Sequence, residues 1–101
     1  MDILEREIEK KFGEEMQKLG CLVCKFTSPG KAGVPDRLVI LPGGLVWFAE
    51  IKRPGGKLRP LQVFWKKQIE RLGAKYYVVD GLDAIANVVN DARLAIGGGA
   101  E

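Results

Sequence analysis

The chain has 101 residues, 47% of them apolar and 29% charged, with a net charge of +3. That balance describes one soluble globular domain and excludes a disordered or fibrous chain. No apolar run approaches the roughly 20 residues of a bilayer span, no signal-peptide pattern opens the chain, and the absence of histidine excludes imidazole bases, Ser-His-Asp triads and His-bound zinc.

In chain order, residues 3–19 read as an amphipathic helix with Ile8, Phe12, Met16 and Leu19 on one stripe, Asp2 as N-cap and Gly20 as the stop. Residues 21–27 follow as a strand. Residues 28–35 form a loop rich in glycine and proline. A second strand over 36–41, a Pro42-Gly43-Gly44 turn and a third strand over 45–53 make a hairpin. Residues 60–72 form a second helix with Leu61, Phe64, Trp65, Ile69 and Leu72 on one broad face. A fourth strand covers 75–79, and a third helix covers 82–95. The order is α-β-β-β-α-β-α, an α/β class, with a single domain over 1–95 and a flexible C-terminal tail over 96–101. A domain of this size buries only about two-thirds of its unfolded-chain surface, so dimerisation would add stability.

Cys21 and Cys24 form a C-x-x-C. They fall within a strand, where positions three apart face opposite ways. They read as reduced structural thiols in a cytosolic protein; the lesser alternative is a zinc site shared across a dimer.

Charge is uneven along the chain. Residues 25–67 hold nine basic and two acidic residues, a net of +7, while both flanks are net −2. A basic middle points to a polyanion such as nucleic acid. Lys31, Arg53, Lys57, Arg59, Lys66 and Lys67 are the candidate phosphate contacts, and glycines 30, 33, 55 and 56 would let the backbone approach a ligand closely. Trp47 and Trp65 each lie in an apolar stretch and read as packing residues rather than base-stacking ones.

The two acidic residues of that basic segment are Asp36 and Glu50. A hairpin turning about Gly43 pairs positions whose numbers sum to 86, which sets Asp36 opposite Glu50, with Lys52 on the same face. Directly opposed like charges destabilise a sheet unless a cation sits between them. Carboxylate oxygens suit a hard divalent ion, Mg²⁺ or Mn²⁺. Lys52 would then orient or deprotonate the attacking water, or stabilise charge on a phosphorane-like transition state.

Val34-Pro35-Asp36 followed by Glu50-Ile51-Lys52 resembles the PD-(D/E)-x-K nuclease signature. With Lys25-Phe26-Thr27-Ser28-Pro29-Gly30, Gly33-Val34-Pro35-Asp36-Arg37-Leu38, Leu41-Pro42-Gly43-Gly44 and Arg59-Pro60-Leu61-Gln62, the chain is similar to stand-alone VRR-NUC proteins of phages and bacteria. The resemblance implies a restriction-endonuclease-like fold, a central mixed four-stranded sheet flanked by helices. It also implies a metal-dependent DNA endonuclease, structure-selective for four-way (Holliday) junctions and working as a homodimer; with no targeting signal in the sequence, the cytoplasm of a bacterial or phage-infected cell is the expected location. In its terms Asp36, Glu50 and the backbone carbonyl of Ile51 bind the metal and Lys52 is catalytic. Gln62 lies close by, and a helix-one acid completes the site, with Glu9 favoured over Glu5. The competing readings are a DNA-binding module without catalysis and a nuclease acting on flaps or on RNA.

Overall fold

A computed structural model gives the fold and describes residues 4–99. Its elements are α1 (Glu5–Lys18), β1 (Leu22–Lys25), β2 (Arg37–Ile40), β3 (Val46–Ile51), α2 (Pro60–Arg71), β4 (Tyr76–Val79) and α3 (Leu82–Gly99). The order is the one expected. The four strands form one sheet in the order β1-β2-β3-β4. The first three are antiparallel, and β3 pairs with β4 in parallel, as the α2 crossover between them requires.

The expected N-cap, Asp2, lies outside the described residues. Leu4 is the N-cap, and its backbone N–H donates to the Glu7 side chain at 3.1 Å. At the other end α3 continues to Gly99, past the expected end at 95. Ile96 is the reason: it is half-buried against the core and carries the helix into the glycine run. The β2–β3 turn uses Gly43 and Gly44 at φ +98° and +95°, a conformation glycine adopts without steric cost.

Alternation along the strands sorts residues onto two faces. Val39, Trp47, Ala49, Ile51 and Val79 point to one side. There they meet Ile8, Phe12 and Met16 of α1 and Ile85, Val88 and Ala92 of α3 in the hydrophobic core. Trp47 is buried, its ring 5.1 Å from that of Tyr77.

The other face carries Leu22, Cys24, Leu38, Ile40, Val46, Phe48 and Glu50. Helix α2 packs over β4 on this side and leaves β1 and β2 open. Leu22 is 57% exposed, and Ile40 and Val46 are exposed beside it. The α2 face differs in part from its apolar pattern: Ile69 is buried as expected, but Gln62 is buried with it, while Leu61, Phe64 and Leu72 face water. Cys21 and Cys24 are both free, and burial pushes the Cys21 thiol up. No helix among the described residues is long and apolar enough to cross a membrane.

Candidate active site

The site begins with the hairpin register. Arg37 pairs with Ala49, Leu38 with Phe48, Val39 with Trp47 and Ile40 with Val46. Each pair sums to 86, and the next step sets Asp36, just before β2, opposite Glu50. Both therefore point to the open face. They line a cleft of about 440 Å³ with Glu5, Gly33, Ile51, Lys52, Arg59 and Gln62.

One further step along that register sets Pro35 against Ile51. Proline has no N–H, so the Ile51 carbonyl has no ladder donor on the β2 side. The Ile51 N–H is taken instead by Asp36 Oδ1 at 3.2 Å. The Pro-Asp pair thus ends the β2–β3 ladder and turns both a carboxylate and a backbone carbonyl toward the cleft.

Glu50 is only 5% exposed. Its Oε2 accepts from Gln62 Nε2 at 3.1 Å, and the Lys52 ammonium lies 3.9 Å away. Its Oε1 is buried and has no hydrogen-bond partner among the described residues. Burial, and then the Asp36 charge, push the Glu50 carboxyl up to about 7, against the opposing pull of Lys52. Burial likewise raises the Asp36 carboxyl, with the Ile51 N–H and Arg37 pulling the other way. Behind Glu50, the buried Tyr76 hydroxyl also lacks a partner, and burial together with the Glu50 charge raises its pKa.

A buried acceptor left unpaired costs free energy, and two facing carboxylates raise each other's pKa. A hard cation between them would remove both penalties. The donor set is oxygen only: two carboxylates and the Ile51 carbonyl. Among the described residues no three acidic or thiol groups stand close enough together to share one metal ion, so an ion held there would keep several waters, as Mg²⁺ does. The residues present fit such an ion.

Gln62 is placed by its own helix end. Pro60 occupies the first turn of α2, and the Gln62 side chain reaches back so that its Oε1 accepts the Arg59 N–H at 2.8 Å. That bond leaves its amide N–H for Glu50. Lys52 is largely buried, its side chain 15% exposed, so its ammonium is held at the cleft rather than sweeping through solvent.

Glu9 does not line this cleft, a correction to the expectation, although its charge still bears on Asp36. It makes an ion pair with Arg37, which points to the core face of the sheet, where α1 packs. Glu5, one turn nearer the helix start, reaches past the end of the sheet and lines the cleft. The sequence showed two acids one turn apart but not which end of α1 overhangs the site. Arg37 itself was missed. Its side chain is 10% exposed, and Nη1 donates to the Asp36 carbonyl at 2.8 Å. An arginine one place after the site aspartate in an apolar strand was the available signal.

The basic candidates divide. Arg59 lines the cleft, and Arg53, Lys57 and Lys67 are exposed. Lys31 lies over the Trp65 ring at 5.9 Å. Lys66 is paired with Glu70 at 2.9 Å, which weakens its case as a phosphate contact. Gly33 lies so close to Leu61 that no side chain would fit there.

No protein-family model matches the chain. A protein of Acyrthosiphon pisum secondary endosymbiont phage 1 named "Putative nuclease p44" is 44% identical over 81 residues, covering 80% of this chain and 87% of that protein. A solved structure described as a VRR_NUC domain superposes with a TM-score of 0.81 at 33% identity, covering 85% of this chain and 94% of the other. With that fold, that identity and the Asp36, Glu50 and Lys52 constellation in one cleft, the chain belongs to the VRR-NUC family of nucleases.

Proposed function

We propose that the protein is a divalent-metal-dependent DNA endonuclease, using Mg²⁺ or Mn²⁺ and acting on branched DNA, four-way junctions first, as a homodimer. The observation that carries this reading is the facing pair Asp36 and Glu50, one oxygen of it buried without a partner, with Lys52 and Arg59 in the same cleft.

Asp36, Glu50 and the Ile51 carbonyl would hold the ion. When bound, the ion polarises a phosphoryl oxygen and makes water a stronger acid. Gln62 fixes Glu50 through its amide. The Lys52 ammonium stands where it would orient the attacking water or neutralise negative charge growing on the phosphoryl group. Arg59, Lys57, Arg53, Lys31 and Lys67 would grip phosphates on either side without reading sequence, with Lys66 the weakest of the candidates. Glu5 replaces Glu9 as the acid nearest the site.

The open apolar face over β1 and β2 supports a second subunit. A two-fold dimer would present two sites for the paired incisions that a symmetric junction needs. The cytoplasm of a bacterial or phage-infected cell is where such a substrate would be met.

The test is cleavage of end-labelled four-way junction, flap and linear duplex in one buffer with Mg²⁺, by the native chain and by Asp36→Asn and Lys52→Ala. The junction should be cut fastest, and both variants should be inactive on it. Equal cutting by all three proteins would refute the site. Junction binding with no metal-dependent cleavage would favour a binding module instead.

A further inference from the structure

Beside the carboxylate cleft lies a second hollow of about 460 Å³, walled by Ala32, Gly33, Arg59, Pro60, Leu61 and Gln62. It shares Gly33, Arg59 and Gln62 with the cleft, so the two adjoin. Their chemistry differs. The cleft is built of carboxylates and cations, whereas the hollow is mostly the apolar carbon of Ala32, Pro60 and Leu61, with Arg59 its one charged group.

The hollow is held open by specific contacts. Trp65 Nε1 donates to the Ala32 carbonyl at 2.9 Å and ties the loop before Asp36 to α2. Gly33, at φ +89°, sits so close to α2 that an added Cβ would lie 2.6 Å from Leu61 Cβ and 2.8 Å from its backbone. Leu61 is nonetheless 55% exposed, and Phe64, one turn on, is exposed beside it. Here apolar side chains are left in water at the edge of a charged cleft, the arrangement expected of a binding surface.

We infer that this hollow receives one nucleobase of the strand being cut, swung out of the stack next to the phosphate at Asp36 and Glu50. The inference rests on the nuclease reading above. The occupant follows from position and charge. A phosphate at the acidic pair has its neighbouring base beside the hollow, and the rim there carries Arg59 and the Lys31 ammonium over Trp65. A base offers a flat face of low polarity, which Pro60 and Leu61 match, and an edge and π-face that a guanidinium can meet. Swinging a base out costs least where it is unpaired or mismatched. The hollow therefore selects nucleic acid with an unpaired nucleotide beside the scissile phosphate, as branch points and bulges provide.

Two labelled duplexes that differ only by one unpaired nucleotide test this with Mg²⁺, using the native chain, Leu61→Ala and Leu61→Met. The native chain should cut the bulged duplex with kcat/KM about tenfold higher or more, at the phosphate beside the bulge. Leu61→Ala should bring that ratio toward one and Leu61→Met should keep it. In parallel, 2-aminopurine at the bulge is followed on binding in EDTA. Its emission should change with the native chain and much less with Leu61→Ala.

A native ratio of one, or a Leu61→Ala ratio equal to the native one, overturns the inference. A four-way junction in the same buffer keeps the two readings apart: a junction cut while both duplexes stay intact overturns the inference alone, and if the junction too stays intact the nuclease reading fails. The 2-aminopurine signal then decides the hollow by itself: a Leu61-dependent change supports it and no change overturns it. Conversion of a dimer to a monomer by Leu61→Ala with the ratio kept would make this ridge a contact between copies, and also overturns it.

Discussion

Strand β3 puts Trp47, Ala49 and Ile51 on one face of the sheet, and Phe48, Glu50 and then Lys52 toward the other. On the first face all three are buried among α1 and α3 side chains. On the second, a carboxylate with an unpaired oxygen sits 3.9 Å from a lysine, under a helix that covers only part of the sheet. Period-two alternation lets neighbouring residues serve opposite ends: the dry face gains by excluding water, and the cleft face gives up stability to keep charges together. Substitutions on the two faces should therefore separate stability from activity.

The largest effect should come from the cleft. Asp36→Asn should lower junction cleavage by about 10³-fold or more, on the order of 4 kcal/mol of transition-state stabilisation, with the melting temperature unchanged or higher because a carboxylate repulsion is gone. Single-turnover rates and thermal melts on one preparation check both halves.

Phe12→Ala should do the reverse. Phe12 is 1% exposed, and truncation should cost about 3–5 kcal/mol in urea unfolding. The fraction that remains folded should still cut DNA.

A smaller effect follows from proton linkage. The folded chain holds the Glu50 carboxyl at about 7, against an ordinary value of 4.5. Between those values the folded state keeps a proton that the unfolded state has released, so stability is fully present below pH 4.5 and is lost as pH rises through 7. Metal-free melting temperatures should fall from pH 5 to pH 8, and Glu50→Gln should flatten the curve. Mg²⁺ should raise the melting temperature more at pH 8 than at pH 5, because the ion competes with the proton.

The smallest effect is electrostatic. Lys57→Ala should weaken DNA binding and reduce the log–log salt slope by about 0.9 if the lysine meets one phosphate. Anisotropy titrations across salt concentrations measure it.

The dry face and the hairpin were legible in the sequence because both obey short-range rules. Strand alternation and a glycine turn were enough to set Asp36 against Glu50, and the observed pairs keep that register. The approach of helices to the sheet was not legible. The apolar pattern of α2 put Leu61, Phe64, Trp65, Ile69 and Leu72 on its inward face, whereas of these only Ile69 is buried and Gln62 is buried with it. A polar residue can hold that place because hydrogen bonds to Glu50 and to the Arg59 N–H replace those it had with water. Which of Glu5 and Glu9 lines the cleft was not legible for a related reason: it depends on how α1 sits against the sheet, which the spacing along one helix does not encode. The glycines at 97–99 suggested a tail, yet the packing of Ile96 carries α3 to Gly99.

Anomalous scattering from crystals soaked in Mn²⁺ tests the central claim most directly. The account predicts one strong peak within about 2.0–2.3 Å of an Asp36 carboxylate oxygen, Glu50 Oε1 and the Ile51 carbonyl, lost in Asp36→Asn. A well-ordered cleft with no peak between those carboxylates, or a peak that persists in Asp36→Asn, would contradict it.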